Sequence, residues 1–134
     1  MAKEDWTILP HCAKESKELY IVLTCDGASS VGQVGNEIAK KLTLSNTGAR
    51  MCCLAAVAAN SPTHIKIAKD AKKLVVINGR VLKCASNILE QRGIKPDYVL
   101  TISELGIPKA PTLDFDDEDV EKIVLKVLED LKKL

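Results

Sequence analysis

The chain has 134 residues, 46% apolar and only 3% aromatic, enough for one domain with a core of Leu, Ile, Val and Ala. A formal net charge of +1 gives no reason to expect nucleic acid or an anionic membrane as partner, and no apolar run reaches the length of a membrane span. The five cysteines are odd in number, and Met1-Ala-Lys-Glu-Asp-Trp6 lacks the pattern of a secretory leader. The expectation is therefore a cytoplasmic protein without a disulfide framework, whose thiols are buried, reactive or metal-bound.

Residues 1–18 have no clear period and read as an N-terminal arm carrying an apolar knot, laid on a single domain at 19–134. Leu19 to Thr24 is apolar at nearly every position, which suits a strand buried on both faces. Cys25 ends it, and Asp26-Gly27-Ala28-Ser29 make a small-residue turn. Ser30 and Gln33 have capping-box spacing, which predicts a helix from Val31 to Leu42 with Val31, Val34, Ile38 and Leu42 on one face. A second strand is expected over Arg50–Ala55, followed by a small-residue segment and a helix at Pro62–Ala71, capped by Ser61. Lys73–Ile77 is the third strand, Asn78-Gly79 its turn, and Val81–Arg92 a helix closed by Gly93. Tyr98–Ile102 is the fourth strand. A Pro- and Gly-containing loop leads from it to a last helix near Asp116, acidic in its first turn and ending in Lys132 and Lys133.

Strands alternating with helices over short connections build a parallel sheet with right-handed crossovers. The fold expected is α/β: a four-stranded parallel sheet in order 2-1-3-4 with helices on both faces, a Rossmann- or flavodoxin-like three-layer sandwich. Parallel strands bring their C-terminal ends to one edge. Cys25, the Cys52-Cys53 pair and Cys84 should therefore meet at one crest, with only one of the pair aimed at it because strand neighbours face opposite ways. Converging thiolates suit a soft metal such as zinc.

Three motifs resemble the DGC-domain family, described as zinc-binding: Cys25-Asp-Gly-Ala-Ser-Ser-Val-Gly-Gln33, Met51-Cys-Cys-Leu-Ala55 and Ile77-Asn-Gly-Arg-Val-Leu-Lys-Cys-Ala85. Thr101–Ile107 is similar to a further family segment. The resemblance implies zinc held by cysteines, of which Cys25, Cys53 and Cys84 match. The cysteine of the family's Asp-Gly-Cys motif is Arg80 here and its aspartate is Asn78. A cation thus replaces a thiolate: the site is left three-coordinate with an open position, or Cys12 or His11 on the arm or a water completes it, or the metal is lost.

Two other classes stay open. The crest could bind an anion, or run thiol chemistry at Cys25 without metal, using Ser29, Ser30 and the helix N-terminus with Arg80 as a planar cation. It could also belong to a non-catalytic partner-binding domain, with the arm and Asp114–Asp119 as handles. No histidine or carboxylate pair is placed for acid–base catalysis, and no Gly-Lys-Ser/Thr follows the glycines to make a phosphate loop of the Walker type.

Overall fold

The computed structural model describes residues 3–134; Met1 and Ala2 of the arm lie outside the described residues. Its order is α1 (Cys12–Glu15), a 3₁₀ turn (Ser16–Glu18), β1 (Tyr20–Thr24), α2 (Ser30–Leu44), β2 (Ala49–Met51), α3 (Leu54–Ala58), α4 (Pro62–Asp70), β3 (Lys73–Asn78), α5 (Cys84–Gln91), β4 (Tyr98–Thr101), a 3₁₀ turn (Ile102–Leu105) and α6 (Asp117–Leu131). The four strands form one all-parallel sheet in the expected order β2-β1-β3-β4.

Period-two alternation divides the strand residues between two cores. Val22, Val75, Ile77 and Leu100 pack with Val31, Val34, Ile38 and Leu42 of α2 and with Val120, Ile123, Val124 and Val127 of α6. On the opposite face Ile21, Leu23, Leu74 and Val76 pack with Val57 of α3, Ile67 and Ala68 of α4, and Ala85 and Leu89 of α5. Covering both faces explains why β1 and β3 read as continuous apolar runs. Each fully buried Leu, Ile or Val contributes roughly 1.5–3 kcal/mol.

The structure corrects the sequence reading in several places. β2 ends at Met51; Cys52 makes one more contact with the sheet, its N–H donating to Val22 O at 2.9 Å, and the chain then turns into α3. The run Leu54-Ala-Ala-Val-Ala58 is rich in good helix formers, so the expected extension of the strand to Ala55 is a helix instead. α2 is capped by Ser29, not Ser30: Ser29 Oγ accepts from the Gly32 N–H at 3.0 Å. Asn78 completes β3 rather than turning. Val81 and Leu82 are exposed loop residues, because Lys83 takes a left-handed conformation (φ 52°) that delays α5 to Cys84. Gly93 has the left-handed φ expected of it, 67°.

Of the arm, Trp6 and Ile8 are largely exposed, so no apolar knot covers the domain there. The chain docks from Pro10 onward: Arg50 Nε donates to Pro10 O at 2.9 Å, and the Lys72 N–H donates to Ser16 O and Leu19 O. Among the described residues no helix is long and apolar enough to cross a membrane.

Candidate functional site

Cys25 follows β1 in sheet register, its N–H donating to Ile77 O at 2.9 Å. The loop after it is held against α2. Gln33 Nε2 donates to the carbonyls of Asp26 and Gly27, at 3.4 and 3.3 Å. A Cβ on Gly32 would stand 2.8 Å from Gly27 O and 2.9 Å from Gly27 N, so the helix approaches its own entry loop more closely than any side chain allows. Gly35 is equally tight against Thr24 Oγ1 and Cys25 O, at 2.8 and 3.0 Å.

Cys53 is the N-cap of α3, and Cys84 is the first residue of α5; both are exposed, while Cys25 and Cys52 are half-buried. All four line one cleft of about 440 Å³ at the C-terminal edge of the sheet, with Asp26, Asn36, Met51 and Ile88. Cys52 and Cys53 lie beyond the strand, so the alternation rule that admitted only one of them does not apply. Burial pushes the Cys52 thiol up to about 11, its neighbour Cys12 adds to the shift, and a hydrogen bond from the Cys53 backbone opposes it.

Three soft thiol donors on one cleft suit a soft divalent metal in chemistry and location. Arg80 does not line this cleft; it lines a separate cavity on the far side of Cys25 and Cys84. Among the described residues, however, no three His, Cys, Asp or Glu side chains stand close enough together to hold an ion as they are placed. A metal would have to draw the side chains in.

His11 and Cys12, the arm's candidate ligands, line a different cleft of about 520 Å³ together with Arg50, Cys52, Cys53 and His64. Cys25 and Cys84 are not part of that lining. His11 Nδ1 already accepts the Lys14 N–H at 3.2 Å, and His64 Nδ1 lies 2.8 Å from Ser61 Oγ. Of the anion candidates, Ser29 and Arg80 line the cavity beyond Cys25 and Cys84, but Ser30 is buried and its Oγ accepts the Ala110 N–H at 2.8 Å.

The sequence reading missed Asn78. It is fully buried, its Oδ1 accepts the Ser86 N–H at 3.0 Å, and its Nδ2 donates to Ser86 Oγ at 2.8 Å. It thus caps α5 from the sheet, replacing the cap that Lys83 does not provide.

A family model for the DGC domain matches residues 21–127, from β1 into α6. The chain belongs to the DGC family. The match spans every crest element of this DGC domain, including the loops that carry Cys25, Cys53, Arg80 and Cys84. A relative, the "Anaerobic and virulence modulator AnvM" of Pseudomonas aeruginosa, is 28% identical over 109 residues, covering 81% of this chain and 82% of its own. No solved structure matches the chain.

Proposed function

We propose that this DGC-domain protein binds zinc at its crest through Cys25, Cys53 and Cys84, leaving the fourth position to water. The observation that carries the reading is that these three thiols, distant in sequence, line one cleft. Bound zinc would act as a cross-link between the loops after β1 and β2 and the start of α5. The protein's own part is to present thiolates: the two exposed cysteines sit at helix starts and are free to reorient, while Cys25 is anchored by its backbone to β3. Because each thiol loses its proton on ligation, zinc affinity should fall as pH falls. The name of AnvM is that of a modulator, and we extend to this chain only that regulatory sense, with metal occupancy as the signal.

The test is metal content per chain after growth with zinc. About one ion per chain is expected in the wild type, in line with a single tetrahedral site. Cys25→Ser, Cys53→Ser and Cys84→Ser should each lose most of it, and Cys52→Ser should keep it. Wild-type protein that carries no zinc, with every thiol open to titration, overturns the reading.

A further inference from the structure

The cavity on the far side of Cys25 and Cys84 measures about 190 Å³ and draws three cations from two parts of the chain: Arg80 and Lys83 from the turn before α5, and Lys109 from the loop before α6. No carboxylate lines it. Lys83 Nζ lies 3.5 Å from Glu104 Oε1; both groups are exposed, so the pair is weak and readily exchanged. Arg80 and Lys109 have no side-chain or ion-pair partner among the described residues. Three like charges around a small concavity repel one another, and a bound anion removes that repulsion.

The rest of the wall is small-residue backbone at Gly27, Ala28 and Gly79, open to close approach, with Ser29 at the start of α2, Cys84 at the start of α5, and Cys25 and Leu82 beside them. The positive ends of two helix dipoles thus border one cavity. In α5 the Asn78 cap takes the Ser86 N–H.

We propose that this cavity binds a phosphate-class oxyanion, with Arg80 as a two-pronged clamp and Lys83 and Lys109 as flanking charges. The volume limits the ligand: it holds one phosphate group and lies below the roughly 300–1,000 Å³ of sites for whole drug-sized molecules. An adjoining groove of about 340 Å³ shares Ala28, Ser29 and Lys109 and continues past Pro111 and Leu113, giving room for the organic part of a phosphate monoester. Arg80 and the lysines, which carry the inference, do not line the thiol cleft, although Cys25 and Cys84 line both hollows.

The test is an NMR titration of the full chain, stripped of metal by a chelator, with inorganic phosphate and separately with phenyl phosphate. Saturable shifts are expected in the amides of 27–31 and 79–85. Arg80→Ala should weaken binding about tenfold, the loss of one charge-assisted bidentate contact. Arg80→Lys should recover part of it, because charge returns without the fork. Lys109→Ala should weaken binding roughly threefold through charge alone. Lys66→Ala, on α4 and outside the cavity, should change nothing. Tighter binding of phenyl phosphate, with added shifts at 109–113, marks a monoester as the ligand; equal affinities mark free phosphate. Shifts that do not saturate, that map elsewhere, or that persist unchanged in Arg80→Ala overturn the proposal. Because metal is absent throughout, a failure here leaves the zinc test untouched.

Discussion

Cys52 differs chemically from the cysteines around it. Its raised value, about 11, means that at pH 8 only about one molecule in a thousand carries the thiolate, the form that attacks alkylating agents. Iodoacetamide labelling read by mass spectrometry should therefore modify exposed Cys53 and Cys84 well before Cys52. The same shift has a consequence for stability. The unfolded chain gives up this proton near the ordinary value of about 9, before the folded chain does, so stability is lost as pH rises from 9 towards 11. Tyr98 acts in the same direction at higher pH: burial and its bond to Asp130 raise it as well. Urea melts at pH 8 and 10.5 should show a fall in midpoint, and the fall should be smaller in Cys52→Ala. Asn78→Ala should cost about 2 kcal/mol, since it removes the partner of the part-buried Ser86 N–H at the start of α5. That one of the Cys52-Cys53 pair packs toward the core was legible in the sequence; the role of Asn78 was not. Asn78 resembled a turn residue because Asn-Gly usually is one, and its partner Ser86 belongs to no recognised spacing. Ser30, with Gln33 three residues on, has the spacing of a cap; in the fold Gln33 reaches instead to the loop carbonyls, and Ser29 caps.

Among the elements, the contact between α2 and its entry loop is the least tolerant of change. Gly32→Ala places a methyl against backbone that cannot move aside, and should cost about 2–3 kcal/mol in chemical denaturation. Gly27→Ala is the matched control: nothing lies within 4 Å of its added carbon, and the effect should be within about 0.5 kcal/mol. At the other end of the sheet, Tyr98 Oη donates to Asp130 Oδ2 at 2.6 Å and ties β4 to α6. Tyr98→Phe should cost about 1 kcal/mol, a partly exposed bond to a charged acceptor. The long elements were legible because their periodicity is strong; α6 starts within a residue of expectation, with Asp116 as its cap. The short ones were not. β2 is a three-residue edge strand, and its apolar continuation suits a helix as well as a strand. The start of α5 was hidden because nothing in a lysine's identity announces a left-handed backbone.

Across the whole molecule, the topology followed from the order of elements: short connections between strands of one direction leave few arrangements, and the sheet took the expected one. That the thiol-bearing loops share one edge followed from the same rule. What the topology could not supply was the partition of that edge into separate hollows. The cations of the smaller one show why: Lys109 reaches it from a loop that folds back over the start of α2, a path set by the Ala110–Ser30 bond and not by any local pattern. The arm likewise depends on one distant tie. Arg50→Ala removes the bond to Pro10, and limited proteolysis should then cut within residues 6–9 several-fold faster while the sheet stays intact.

Gly79 links these scales. A Cβ there would lie 3.1 Å from Val31 Cγ2 and 3.3 Å from Gly32 N, and its carbonyl accepts the Ser103 N–H at 3.0 Å. The residue after β3 is thereby packed between the first turn of α2 and the 3₁₀ turn after β4, with no room for a side chain. A side chain at position 79 would wedge them apart, beside the wall of Cys25, Gly27 and Cys84 that both hollows share.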